Sequence, residues 1–200
     1  MNYLAHIYLS GYRKNLMIGN FIADGIRGNK YKHYSSEIQA GILLHRHIDT
    51  FTDAHTIFRQ CTKRLHTAYG HYSGVIIDIF FDHFLAKNWE TYSDVPLEDY
   101  IADFYKTLTE NINILPPRFK KFTPIMIEGN WLLSYATIEG IQLVLNGMNH
   151  RTKGRSKMNK ATKELKEYYE AFETDFILFF EELIKFSAEK RLEIEQEFNL

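Results

Sequence analysis

The chain has one cysteine, Cys61, and four prolines in 200 residues. A disulfide framework and a cysteine zinc site are both excluded, and a reducing cytoplasm is the expected location. No apolar run approaches the roughly 18 residues a membrane helix needs. The longest, around Gly74–Phe81 and Phe176–Phe180, are short and flanked by charge. Met1–Ser10 has neither a basic leader region nor a small-residue cleavage site, so no signal peptide is expected. Disorder is excluded by 45% hydrophobic and 24% charged residues. A chain this long buries roughly 70% of its unfolded surface, enough for a core without staples.

Glutamate is scarce where it is normally plentiful. Residues 1–89 hold five aspartates (Asp24, Asp49, Asp53, Asp78, Asp82) but only Glu37, while residues 90–200 hold fifteen Glu and four Asp. Seven of the nine histidines lie at or before His71, and His83 follows soon after. Surface helices normally take Glu, the better helix former. Short, stiff carboxylates beside imidazoles suggest placed side chains, although drift in composition gives the same skew.

Apolar residues recur at helical spacing throughout, and no stretch alternates long enough to require a strand. Ser36-Glu37-Ile38-Gln39 reads as a capping box opening a helix through His45 and Asp49. Thr52-Asp53 offers a cap for the next helix, which Gly70 breaks. Val75–Trp89 and Leu97–Leu115 follow, with Pro96 in a first turn. Pro116-Pro117 and Thr123-Pro124 punctuate the middle, and Trp131–Met148 reads as one helix. Residues 159–198 form a long C-terminal helical segment, periodic from Asn159 to Glu197 with a break near Phe186-Ser187. The expected fold is one all-α helical bundle domain spanning residues 1–200.

Within that pattern His45-x-x-x-Asp49-x-x-x-Asp53 puts three groups on one helical face, and Asp78-x-x-x-Asp82-His83 does so in an otherwise apolar helix. A lone buried carboxylate is costly and is normally neutralised, paired or metal-bound. Asp24, in Gly19-Asn20-Phe21-Ile22-Ala23-Asp24-Gly25, and His6, in Met1–Leu9, repeat the theme. Singly, each is as well read as a cap, a surface contact or a satisfied core histidine. Together they point to a shared metal site of the kind helical bundles build from i, i+4 ligands. Nitrogen and carboxylate ligands without thiolate suit manganese, magnesium or iron better than structural zinc. Several carboxylates around a divalent ion point to phosphate esters, because the ion lowers the pKa of a bound water and stabilises charge on phosphoryl oxygens. A di-iron oxygenase would show paired Glu-x-x-His motifs, which are absent.

The same residues carry a resemblance. Met1-Asn2-Tyr3-Leu4-Ala5-His6, Gly19–Asp24, His45-Arg46, Ile48-Asp49, Phe51–His55, Asp78, Asp82–Ala86, Trp89, Trp131-Leu132, Ser134-Tyr135, Glu139-Gly140 and Arg151 resemble the acyl carrier protein phosphodiesterase family, whose helical fold is related to the HD phosphohydrolases. The chain departs from that pattern at Thr56, where the family commonly has Pro, and at Phe81, commonly Tyr. The resemblance implies hydrolysis of the phosphodiester joining 4'-phosphopantetheine to a carrier-protein serine, with Mn2+ as cofactor and Mg2+ or Fe2+ as substitutes. It implies that Asp24, His45, Asp49, Asp78 and Asp82 hold the metal directly or through water. His6, Asp53 and His83 would orient ligands or manage protons, and Arg46, His55 and Arg151 would contact substrate.

Between Arg151 and Lys166 seven basic residues face Glu164 alone. A face of that sign suits docking to an acidic carrier protein. The overall pI of about 6.8 and the absence of a recognition motif argue against nucleic acid. Two further readings stand beside the phosphodiesterase: an HD-like phosphohydrolase of a small nucleotide or phosphate ester, and a non-catalytic scaffold whose Asp and His residues form polar core networks.

Overall fold

The structure is a computed structural model describing residues 1–200, and it contains eleven α-helices joined by short 3-10 turns, with no strand. They are α1 (Tyr3–Leu9), α2 (Lys14–Ile22), α3 (Ser36–Ala54), α4 (Thr56–Tyr69), α5 (Ser73–Lys87), α6 (Leu97–Glu110), α7 (Pro117–Glu128), α8 (Trp131–Ser134), α9 (Ile138–Arg151), α10 (Thr162–Glu167) and α11 (Tyr169–Phe198). No helix is long and apolar enough to cross a membrane.

Helix α5 runs through the centre because it is apolar nearly all round. Ile76, Ile77, Ile79, Phe80, Phe81, Phe84 and Leu85 are completely buried. The amphipathic α11 lays Phe172, Phe176 and Phe179 against it and buries Phe180 and Leu183 alongside them. Phe81 meets Phe176 and Phe179 at centroid distances of 5.6 and 5.3 Å. Each buried phenyl ring contributes about 1.5–3 kcal/mol. Ion pairs fix the register of α11 at its flanks: Lys87–Glu173 at 2.8 Å and Arg64–Asp175. All 49 buried hydrophobic residues form one cluster, so the molecule has one core and one domain.

The crossing of α2 and α3 positions the site. A Cβ on Gly19 would lie 2.2 Å from the Ile38 carbonyl oxygen, and one on Gly41 would lie 2.1 Å from that of Leu16. Only two glycines permit backbones this close. Asn20 follows Gly19, and His45 lies one turn after Gly41, so the close crossing brings those two side chains together.

Several local expectations are corrected. Ser35, not Ser36, precedes α3, and Gln39 donates to the Tyr34 carbonyl instead of closing a capping box. Thr52 and Asp53 lie inside α3; the α4 cap is the His55 ring, whose Nδ1 accepts from the Ile57 N–H. Pro96 is the cap preceding α6, which ends at Glu110. Pro124 sits within α7, where it forgoes a single backbone bond. The stretch read as Trp131–Met148 divides into α8 and α9, because Thr137 caps α9 through Gly140 N–H. The C-terminal segment breaks at Tyr168, not at Phe186-Ser187, where α11 is continuous and Ser187 is buried.

Candidate metal centre

Helix α1 has no cap of its own, since Asn2 makes no side-chain cap hydrogen bond. Its free N–H groups are satisfied from α5 instead. Leu4 N–H donates to Asp82 Oδ2 at 2.7 Å and Ala5 N–H donates to Asp82 Oδ1 at 3.2 Å. Asp82 is completely buried, and burial pushes its carboxyl up to about 7 against the pull of those two donors. Capping α1 from the core fixes where His6, on its inner face, points.

His6 stacks on His45 with ring centroids 4.0 Å apart. Both its ring nitrogens are buried without a hydrogen-bond partner. Nε2 lies 3.3 Å from Asp49 Oδ1 but is not aligned to donate to it. His45 Nε2 lies 3.0 Å from Asp49 Oδ2 and 3.4 Å from Asp24 Oδ1. His6, His45 and Asp49 therefore offer one ligand atom each, all within 4.8 Å of one another, and Asp24 adds a carboxylate oxygen beside them.

Asn20 sets the direction of the His45 ring. Its Nδ2 donates to the His6 carbonyl and to Ser10 Oγ, both at 2.9 Å, which turns Oδ1 toward His45. His45 Nδ1 lies 3.1 Å from that oxygen. The network keeps a proton on Nδ1 and turns Nε2 toward the carboxylates, so that Nε2 is the nitrogen left to ligate a metal once its own proton is displaced.

These residues fit a divalent cation. Ligands about 2.1 Å from an octahedral ion sit about 3.0 Å apart along an edge, close to the spacing found here. The unpartnered His6 ring points the same way, because a buried imidazole normally finds a hydrogen bond. The charges are those of a cation site filled by a proton. Burial opposes charge on His45, yet Asp24 and Asp49 together push its pKa up to about 9. Burial and the adjacent His45 push His6 down to about 4. Burial works against ionisation of Asp49, but His45 and His6 hold its carboxyl far below the usual range.

Of the residues singled out from sequence, the structure gathers Asp24, His45, Asp49 and His6. It places two of the other three aspartates nearby with partners of their own: Asp82 holds α1, and Asp78 meets the Met1 amine at 2.9 Å. Asp53 is exposed, one helical turn beyond Asp49. His83 spends both nitrogens elsewhere, on the Tyr135 carbonyl at 2.7 Å and the Tyr169 hydroxyl at 2.8 Å. Arg46 donates to the Gly28 carbonyl at 2.8 Å and stacks on Tyr31, which fastens the loop after Asp24. His55 lies 3.2 Å from Glu182 Oε2 and packs against Phe51 and Phe179. Arg151 stands at the edge of a cavity shared with Tyr3 and Arg118. Sequence reasoning passed over Asn20. Its signal was an amide in an apolar helix directly after a glycine.

The family model described as acyl carrier protein phosphodiesterase matches residues 1–183. The chain belongs to the acyl carrier protein phosphodiesterase family. Proteins of that name from Klebsiella pneumoniae and Salmonella paratyphi A are 31% and 32% identical to it, each over 96% of this chain and all of the relative. One from Yersinia enterocolitica is 28% identical over the same shares. No solved structure matches. The family model's match covers the whole metal centre and ends within α11.

Proposed function

We propose that this protein hydrolyses the phosphodiester between 4'-phosphopantetheine and the carrier-protein serine, releasing apo carrier protein, with Mn2+ as its cofactor. The buried, unpartnered His6 ring stacked on His45 between two carboxylates carries the reading, because an ion at their centre supplies what each of them lacks. When bound, the ion supplies a lowered water pKa and neutralises charge on the phosphoryl oxygens. His6, His45, Asp49 and Asp24 hold it, and Asn20 keeps His45 in the ligating tautomer. A donor set of imidazole and carboxylate without thiolate favours Mn2+, with Mg2+ or Fe2+ as substitutes.

The water oxygen bonds to phosphorus as the bond from phosphorus to the serine oxygen breaks. The proton that water loses returns to the serine oxygen. Asp53 carries it, being the carboxylate on the Asp49 face of α3 without a side-chain partner. His83 acts by positioning: it ties Tyr135, which accepts a hydrogen bond from Asn2 at 2.9 Å, to α5 and α11.

Docking falls to the segment from Arg151 to Lys166. All seven basic side chains are exposed and none is ion-paired with an acidic neighbour. Lys153 and Lys157 adopt left-handed backbone conformations, φ 54° and 55°, that cost a non-glycine residue about 1–2 kcal/mol. Lysine kept at that cost fits a recognition loop for an acidic partner. The single buried thiol, pushed up to about 12 by burial and Asp175, is inert and suits the reducing cytoplasm. Incubation with purified holo carrier protein and Mn2+ tests the reading by intact mass. Loss of the phosphopantetheine mass supports it. An unchanged mass beside an active control enzyme moves the assignment to a small phosphate ester.

A further inference from the structure

A cavity of about 610 Å³ opens between α1, α7, α8 and α9 and shares α1 with the metal centre. Tyr3 links the two. It lies on α1 almost one turn before His6, lines the cavity, and packs on Phe21 of α2 and Phe122 of α7 with ring centroids 5.1 and 5.8 Å apart. One helical turn spans about 5.4 Å, which sets the offset between Tyr3 and His6 along α1.

The cavity is mostly apolar, with two unpaired cations. Phe122, Trp131, Val144 and Met148 are partly exposed and form its walls. Trp131 is 37% exposed, whereas the other tryptophan, Trp89, is buried at 3%. Leu143, further along the same face of α9, is 69% exposed. The floor is open at Gly147, where an added Cβ would meet nothing within 4 Å. Arg118 and Arg151 are exposed and neither makes an ion pair or a side-chain hydrogen bond to the rest of the chain. Concave apolar walls with a few converging donors are the general form of a small-molecule site.

We propose that this cavity seats the pantetheine arm of the substrate, its methyl-bearing segment against Trp131, Phe122 and Met148 and its amide carbonyls facing Arg118 and Arg151. The inference rests on the phosphodiesterase reading, since it takes the arm to start from a phosphorus held at the metal centre. The chemistry matches at both ends. The arm is uncharged beyond its phosphate, offers two amide carbonyls and a hydroxyl as acceptors, and is branched where it is most apolar. Arginine presents donors and accepts nothing. A carrier protein docked on Arg151–Lys166 would deliver its prosthetic group directly here, because Arg151 belongs to both surfaces.

Two measurements test this. First, free pantetheine, which has no phosphate, is titrated into the wild-type protein while tryptophan emission is followed. A saturable change is expected, lost in Trp131→Phe and weakened at least tenfold in Gly147→Phe, which fills the floor. No saturable change in the wild type overturns the proposal, whether or not the protein cleaves holo carrier protein. Second, kcat/KM is compared for holo carrier protein and for bis(4-nitrophenyl) phosphate, a diester without the arm. Gly147→Phe is expected to lose at least tenfold more on the carrier protein than on the armless diester, chiefly through KM. Equal losses on the two substrates overturn it. Failure of the phosphodiesterase reading looks different: holo carrier protein is then untouched by the wild type itself.

Discussion

Asn20 touches no substrate, yet the metal centre depends on it. Replacing it with leucine keeps the shape and removes three interactions: the acceptor for His45 Nδ1 at 3.1 Å and the donations to the His6 carbonyl and Ser10 Oγ at 2.9 Å. The His6 carbonyl keeps one donor, since Ser10 Oγ lies 2.8 Å from it. His45 Nδ1 is left buried without a partner, which costs about 1–3 kcal/mol. Its tautomer is then free, and losing such a partner typically weakens metal binding about 10–100-fold. Asn20→Asp separates the two effects. It keeps an acceptor for Nδ1 and so keeps Mn2+ affinity, but it presses a carboxylate against the His6 carbonyl and loses stability. Urea unfolding of the metal-free protein and calorimetric Mn2+ titration read the two quantities independently. Asn20→Leu with wild-type Mn2+ affinity, in protein folded by circular dichroism, would refute the tautomer reasoning whatever its stability.

Three further outcomes are expected. Below about pH 9 His45 holds a proton that a metal must displace, so Mn2+ affinity should rise about tenfold per pH unit from about 6 to about 9. Calorimetry in buffers of different ionisation enthalpy should find one proton released at neutral pH; none released would contradict the assignment. Gly41→Ala places a Cβ 2.1 Å from the Leu16 carbonyl oxygen and 2.8 Å from Asn20 N. Overpacking should cost about 1–3 kcal/mol by urea unfolding and weaken Mn2+ binding as well, because α2 carries Asn20 away from His45. Changing Lys153, Arg155 and Lys157 together to glutamate should raise KM for carrier protein and flatten its salt dependence, with little change in Tm. An unchanged KM at low salt would remove that loop from docking.

The sequence made the helical class legible because period and caps are local. Its reading of the metal centre was strongest where two ligands share one face, as at His45 and Asp49, and where carboxylates stand in an apolar run. Asp78 and Asp82 were visible as anomalies, but not what answers them. Asp82 caps a helix 78 residues away, a contact no local pattern encodes. His83 was expected to orient ligands or manage protons, and its two partners lie 52 and 86 residues distant, equally beyond local pattern. His55, expected to contact substrate, starts α4 through its own ring, a capping role the sequence pattern had given to Thr52-Asp53. The helix break at Thr137 was missed because apolar spacing continues across it, and Pro124 stays helical because packing outweighs one lost backbone bond.

Manganese bound per chain, read from the loss of the free-ion paramagnetic signal, should be stoichiometric for the wild type and for Asp53→Asn, and absent from folded Asp49→Ala and His45→Ala. Saturating Mn2+ binding that survives both of the last two substitutions would mean the ion sits somewhere else, and the reading of α1, α2 and α3 as its scaffold would fall.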